Sequence, residues 1–246
     1  LTWVRLDGSA NDKARQLEAA RVKTRNDDDR VLIIGNSKSP LSQQDLARQV
    51  PGAVTVENVD LKDLISFSKT FNLASDDALE TLIRFAADIM INVGAADMIA
   101  RASALHRGTA KKKASEAELA ALKFKNNPSI PSALDVIVEI GRQSGVRAHR
   151  PAVLRACIRA MNSCDNGESF YDAVVRVREQ NRLIGRPLAK RSVGSTLLLK
   201  GLEGEIGVIV DVDVLDNAKH LYVAMTRGAE RLVICSKNPT LKLPLT

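Results

Sequence analysis

An arginine, a glutamate and a glycine near the end of the sequence are the residues best suited to chemistry. They fall in two blocks: Gly194–Glu203, which ends in Lys-Gly-Leu-Glu, and Leu221–Gly228, which ends in Thr-Arg-Gly. Gly201 would let the backbone approach a ligand closely, and the planar guanidinium of Arg227 is suited to phosphate oxygens. Together these residues predict a ligand-binding site near the end of the chain.

Arg227 also has a structural interpretation. The pattern predicts a helix over Asp216–Arg227, and Gly228 directly after it can end that helix. The arginine side chain would then only satisfy the last carbonyl groups of the helix. Because the two blocks occur together and in order, we favour the functional interpretation.

Short apolar runs in and after the blocks predict the strands that must position these residues. Such runs are typical of buried strands in a parallel sheet; they are Leu197–Leu199, Val208–Val210 and Leu232–Cys235. The predicted helix, capped by Asp216 or Asn217, joins the last two strands into a βαβ unit. Since such sheets bind ligands at the carboxyl ends of their strands, we expect the turn Lys200–Glu203 at that edge.

The two blocks resemble the last two conserved motifs of superfamily 1 helicases of the UvrD/Rep type. The resemblance implies that Arg227 is an arginine finger, which reaches the γ-phosphate of ATP bound on a neighbouring RecA-like domain and stabilises the transition state. It implies that Glu203 contacts the nucleotide ribose and that Gly201 lies beside it. With no nucleotide present, we expect the Arg227 side chain to protrude into open solvent.

The same resemblance implies DNA contacts within the first block. Ser195 and Thr196 match small polar residues that lie against the DNA backbone, and Lys200 is assigned with them. Two positions depart from the family pattern. Leu197 stands where many relatives have a histidine, and Gly204 stands where an aromatic residue usually follows Gly-Leu-Glu.

The phosphate-binding half of such a motor is missing from the sequence. No Gly-x-x-x-x-Gly-Lys-Ser/Thr loop occurs, and no Asp-Glu pair ends an apolar strand. Asp27–Asp29 precede a predicted strand, so we interpret them as a solvated turn and predict no metal site in this chain. ATP and Mg²⁺ would be bound mainly by an N-terminal RecA-like domain of the same protein. The chain begins with Leu1, and we expect it to be a C-terminal fragment that does not hydrolyse ATP alone.

Composition favours a reduced, cytoplasmic protein with an aliphatic core. Hydrophobic residues make up 45% of the 246 residues and aromatic residues only 3%. The spacing of Cys157, Cys164 and Cys235 predicts neither a disulfide framework nor a zinc site, and we expect Cys157 and Cys235 to be buried thiols. Apolar runs are too short to span a bilayer, so we expect no membrane partner.

The charge is concentrated in one segment. The chain carries +7, but residues 101–200 hold 19 lysines and arginines against 8 acidic residues, a net charge of +11. A segment this basic favours single-stranded and duplex DNA as partners. The alternative is a set of solvated helix faces.

The predicted fold class is α/β: a RecA-like, P-loop NTPase-type parallel sheet, the second motor domain, with a large all-helical insertion. Residues 1–75 and 186–246 form the RecA-like part, and residues 76–185 form the insertion, which touches duplex DNA in the relatives. The pattern predicts helices at Asn11–Lys23 and Leu41–Val50, the second capped by Ser39, and a strand at Arg30–Gly35. It predicts mainly helix from Asp63 to Arg182, with a break at Asn127–Pro131.

The resulting prediction is the C-terminal domain of an ATP-dependent DNA helicase or translocase, which supplies the arginine finger and part of the single-stranded DNA track. Two alternatives stay open. The chain could be a non-catalytic nucleic-acid-binding or interaction module derived from that fold. It could also belong to a regulatory ATPase subunit of a nuclease complex, in which ATP acts as a switch.

Overall fold

The computed structural model describes residues 1–164, 168–183, 188–215 and 218–241. Over these residues the chain is an α/β protein with ten α-helices, a six-stranded parallel sheet and a separate two-stranded ribbon. It divides into two compact units, one formed by Leu1–Glu57 with Arg186–Thr246 and the other by Asn58–Gly185. None of the helices in this described part is both long and apolar enough to cross a membrane.

The elements are as follows. The strands are β1 (Thr2–Arg5), β2 (Val31–Ile34), β3 (Ala53–Thr55), β4 (Met90–Ile91), β5 (Arg147–Ala148), β6 (Arg191–Gly194), β7 (Gly204–Ile209) and β8 (Gly228–Ser236). The helices are α1 (Asp12–Ala20), α2 (Pro40–Gln49), α3 (Lys62–Thr70), α4 (Ala78–Ile89), α5 (Ala95–His106), α6 (Glu116–Asn126), α7 (Ile130–Arg142), α8 (Pro151–Asn162), α9 (Phe170–Leu183) and α10 (Ala218–Met225). A single 3₁₀ turn covers Val212–Val214.

The first unit is built on the six-stranded sheet, whose strand order is β1-β8-β7-β2-β6-β3. Every neighbouring pair in it is parallel. Ile34 lies opposite both Gly194 and Ile209, so β2, β6 and β7 end in one row at the carboxyl edge. All four residues of β2 are buried, as expected for a central strand covered on both faces.

The two faces of this sheet carry different helices. Val31 and Ile33 point to one face, where they pack with residues of α1 and α2 such as Ala20 and Leu46. Leu32 and Ile34 point to the other face, which is covered by α10, the 3₁₀ turn and Leu199. The chain therefore leaves β2 toward one face and leaves β7 toward the opposite face.

Local signals place the first half of this unit correctly. The predicted strand Arg30–Gly35 contains β2, and α2 begins at Pro40 directly after Ser39, whose hydroxyl accepts a hydrogen bond from the Ser42 amide. The interpretation of Asp27–Asp29 as a wholly solvated turn is wrong for Asp29. Its side chain is buried because its carboxylate accepts the backbone N–H groups of Arg25 and Asn26.

The predicted strand Leu197–Leu199 is also wrong. The strand in this region is β6, which ends at Gly194, and the leucines form a helical turn in which the Leu199 amide donates to the Ser195 carbonyl at 3.0 Å. Leu199 is fully buried while Leu197 is 75% exposed, a difference that a strand buried on both faces would not allow. The turn packs tightly against the end of β6: a Cβ added at Gly194 would lie only 3.2 Å from the Leu199 side chain.

The predicted strand–helix–strand order near the end of the chain is present as β7, α10 and β8, but the ends of these elements differ from those predicted. The strand predicted at Val208–Val210 is β7, which starts earlier, and that predicted at Leu232–Cys235 lies within β8. The predicted helix corresponds to α10, which ends before Arg227. Asp216 and Asn217, the expected capping residues, lie outside the described residues.

The second unit is helical and contains α3 to α9 together with the antiparallel ribbon β4–β5. Its core is mainly aliphatic, as the composition predicts, but it also buries four of the five phenylalanines of the chain, all of which lie in this unit. Phe67 stacks on Phe85 with ring centroids 3.9 Å apart, and Phe170 meets Phe67 edge to face. The edge-to-face pair, with ring centroids 6.0 Å apart, has a geometry that aromatic pairs prefer.

The second unit begins at Asn58, whereas the sequence division placed the start of the helical insertion at residue 76. Helix α3 belongs to the helical unit because Phe67 lies in its aromatic core. An ion pair of 2.7 Å between Asp63 and the buried Arg150 joins α3 to the start of α8. The other predicted boundary, at residues 185 and 186, lies outside the described residues.

Candidate functional site

The predicted site residues lie at two opposite edges of the six-stranded sheet. Ser195 and Thr196 follow the carboxyl end of β6, whereas Glu203 directly precedes the amino end of β7. Arg227 directly precedes β8, the neighbour of β7, and lies at the same amino edge. The expectation that Lys200–Glu203 lies wholly at the carboxyl edge is therefore wrong. Because β6 and β7 are parallel, the segment between them must return to the amino edge.

Arg227 is held by hydrogen bonds rather than exposed to open solvent. Its Nη1 donates to the Leu202 carbonyl oxygen at 2.7 Å, its Nε donates to the Val223 carbonyl oxygen at 2.8 Å, and its Nη2 donates to the Thr226 hydroxyl at 2.9 Å. The side chain is half-buried. The expected protrusion is wrong because these three acceptors hold the guanidinium against the end of α10 and the start of β7.

Glu203 is positioned by the same contacts. The carbonyl oxygen of Leu202, which precedes Glu203, accepts a hydrogen bond from the Arg227 guanidinium. The amide of Gly204, which follows Glu203, donates to the Arg227 carbonyl oxygen at 3.1 Å. Glu203 itself is exposed. Two hydrogen bonds therefore fix the backbone of Glu203 beside Arg227, while its carboxylate remains accessible to a ligand.

Two glycines make this close arrangement possible. A Cβ at Gly228 would lie 2.5 Å from the Arg231 carbonyl oxygen, and a Cβ at Gly204 would lie 2.8 Å from the Arg30 carbonyl oxygen. The second distance explains why position 204 holds a glycine, since a larger residue there would collide with the backbone before β2. Close by, the Arg30 amide donates to Glu205 Oε2 at 2.6 Å and lowers the pKa of that carboxyl group.

Thr226 is a site residue whose role the sequence did not reveal. Its hydroxyl donates to a carbonyl oxygen of α10, with Tyr222 at 3.0 Å and Val223 at 3.1 Å, and accepts from Arg227. It orients the guanidinium. The sequence signal for this role is its place in the second block, where it matches a motif position directly before the arginine.

At the carboxyl edge, the two small hydroxyl residues are buried. Ser195 accepts the Leu198 amide at 3.2 Å, and the Thr196 hydroxyl lies 3.3 Å from that of Ser37, which follows β2. Thr196 is only 1% exposed. Lys200 and Gly201 are exposed in the turn that follows, with Gly201 at a φ of 80° that favours glycine. Lys200 is therefore the most accessible of the three predicted DNA contacts.

The described residues contain no group of three or more His, Cys, Asp and Glu side chains arranged to hold a metal ion.

The buried thiols are poorly reactive, because burial raises the pKa of Cys157 and of Cys235 to about 12. Both were predicted to be buried, and the structure confirms this. The chemistry available at the amino edge is thus a fixed guanidinium beside an accessible carboxylate.

Comparisons with family models, curated proteins and solved structures found no match to this chain. The functional assignment depends on the two sequence blocks and on the geometry that joins them.

Proposed function

We propose that this chain is the second RecA-like domain of an ATP-dependent DNA helicase or translocase of the UvrD/Rep type. In this role Arg227 contacts the γ-phosphate of ATP held on a neighbouring RecA-like domain, and Glu203 contacts the ribose. The neighbouring domain would supply the phosphate loop and the Mg²⁺ ligands. The observation that carries the proposal is the hydrogen bond of 2.7 Å between Arg227 and Leu202, two residues 25 positions apart in the sequence, which joins the two motif blocks.

The division of the candidate residues between two edges supports a motor rather than a single binding site. The nucleotide residues Glu203 and Arg227 lie at the amino edge, and Ser195 and Thr196 begin at the carboxyl edge. One continuous segment, residues 195–203, connects the two edges. In the proposed motor, this segment would link a movement of DNA at one edge to the position of Glu203 at the other, which is the coupling that a translocase requires.

The proposed DNA partner is supported by charge. Ion pairs neutralise part of the basic segment, among them Arg101 with Glu118 and Lys123 with Asp135. Lys111, Lys112 and Lys113 are exposed in the loop between α5 and α6. These three ammonium groups can release counterions on contact with phosphates.

A second candidate, a non-catalytic interaction module derived from this fold, is favoured by one observation. Three of the five N–H donors of Arg227 already form hydrogen bonds inside the domain. In that case Arg227 would only hold the end of α10 against β7.

DNA-stimulated ATP hydrolysis by the full-length protein separates the two candidates. The helicase proposal requires hydrolysis that rises with single-stranded DNA and is lost in Arg227→Ala, while the exposed Arg30→Ala control at the same edge retains it. ATP hydrolysis that is unaffected by Arg227→Ala, or full-length protein with no ATPase activity, would favour the interaction module.

A further inference from the structure

A groove in the sheet-containing unit lies where the connections of two neighbouring strands diverge. Strand β2 continues into α2 on one face, and β7 continues into the 3₁₀ turn on the other. The Val210 amide donates to the Ile34 carbonyl oxygen at 3.2 Å, so the two strand ends lie together. In open parallel sheets, ligands bind in the crevice at such a divergence, outside the carboxyl ends of the strands.

The structure has a cavity of about 300 Å³ at this position. Its end wall is formed by Gly35 and Asp211, the residues just beyond β2 and β7. Its sides are formed by α1 and α2, which contribute Leu17 and Leu46 as an apolar surface. The volume is at the lower end of the roughly 300–1,000 Å³ typical of ligand sites, so it suits a small molecule.

The polar lining favours a cation. Asp45 and Asp211 contribute two carboxylates, and Lys13 contributes one ammonium group. Asp211 is half-buried, and burial raises the pKa of its carboxyl group. The hydrogen bond from the Asp213 amide and the charge of Lys237 lower this pKa, and the negative charges of Asp213 and Asp12 raise it. A carboxylate in such surroundings gains from a positively charged partner, since an opposite charge favours its ionised form.

We propose that this groove binds a small aliphatic ammonium compound, whose ammonium group pairs with Asp211 while its hydrocarbon chain lies on Leu17 and Leu46. Asp211 is oriented for this role because its Oδ1 accepts the Asp213 amide at 3.0 Å. The site is separate from Arg227 and Glu203, which lie at the amino edge. It therefore does not depend on the helicase proposal.

The test is a titration of isotopically labelled full chain with n-butylammonium chloride at constant ionic strength, followed by amide NMR. The expected result is saturable shifts centred on Gly35, Leu46 and Asp211, with n-butanol at the same concentration causing much smaller shifts there. Asp211→Asn keeps an oxygen that can accept the Asp213 amide, so the fold is preserved. We expect this variant to weaken binding about tenfold, the loss typical of a charge-assisted hydrogen bond.

Two further variants make the test specific. Asp45→Asn removes the second carboxylate from the exposed surface of α2 and should also weaken binding. Glu18→Gln removes an exposed carboxylate of α1 outside the groove and should leave the affinity unchanged. Equal affinity in Asp211→Asn, equal response to n-butanol, or shifts that are absent or scattered outside the groove would overturn the proposal.

Discussion

The guanidinium of Arg227 donates a hydrogen bond of 2.7 Å to the carbonyl oxygen of Leu202, across the amino ends of two neighbouring strands. This contact brings the residue proposed to sense the γ-phosphate next to Glu203. It also gives Arg227 a structural task in addition to the proposed catalytic one. The internal hydrogen bonds use three of its five N–H donors, so the proposed phosphate contact would use the remaining N–H groups or replace one of these bonds.

The internal bonds of Arg227 predict a measurable contribution to stability. Arg227→Ala loses the hydrogen bonds to Leu202 and Val223 and leaves both carbonyl groups without this donor, so we expect a loss of about 1–2 kcal/mol in the free energy of unfolding. Urea denaturation of this chain measures it, with the exposed Arg30→Ala as control. Equal stability of the two variants would show that the internal hydrogen bonds contribute little.

The close approach at Gly204 predicts opposite effects for two glycine substitutions. Gly204→Ala places a methyl group 2.8 Å from the Arg30 carbonyl oxygen, and we expect destabilisation of about 1–3 kcal/mol. Gly141→Ala in α7 meets only Met90 at 3.6 Å and removes a helix glycine, so stability should stay equal or rise by up to about 1 kcal/mol. Thermal melting of both variants checks this. A Gly204→Ala variant as stable as the parent would contradict the tight fit.

The salt bridge between Arg101 and Glu118 predicts how stability depends on pH. Its hydrogen bond, 2.9 Å from Nε to Oε1, lowers the pKa of Glu118 below the ordinary 4.5. The stabilisation is therefore fully present above pH 4.5 and lost as the pH falls through the lowered pKa. We expect the parent to be more stable than Glu118→Gln at pH 7, and the difference to shrink as the pH falls below 4.5. A difference that is constant with pH would contradict the assignment.

Binding of DNA should depend strongly on salt and weakly on sequence. Replacing Lys111, Lys112 and Lys113 together by alanine should reduce the slope of log K against log salt concentration by about 2 for single-stranded DNA. Fluorescence anisotropy with a labelled oligonucleotide at several salt concentrations measures the slope. Lys123→Ala, whose ammonium group is paired with Asp135 at 2.7 Å, should change it less. An unchanged slope in the triple variant would remove this loop from the DNA interface.

Elements with local signals were predictable from the sequence. The cap at Ser39 identified α2, and the apolar run before Gly35 identified β2. The strand predicted at Leu197–Leu199 was wrong because composition alone does not distinguish a buried strand from a helical turn with one buried leucine. The edge on which Glu203 lies depends on the direction and order of β6, β7 and β8. These are long-range features, so the contact between Arg227 and Leu202 was not predictable from spacing.

The proposed role of Arg227 is tested most directly by single-turnover ATP hydrolysis in the DNA-bound full-length protein. Arg227→Ala and Arg227→Lys should both lower the rate by on the order of 10³, because an ammonium group cannot replace a planar, bidentate guanidinium. Nucleotide affinity, measured in parallel, should change little, and the assay should be run well below each variant's melting temperature. Hydrolysis near the parental rate in Arg227→Ala, with the protein folded and nucleotide bound, would contradict the arginine-finger role and leave Arg227 as a structural residue.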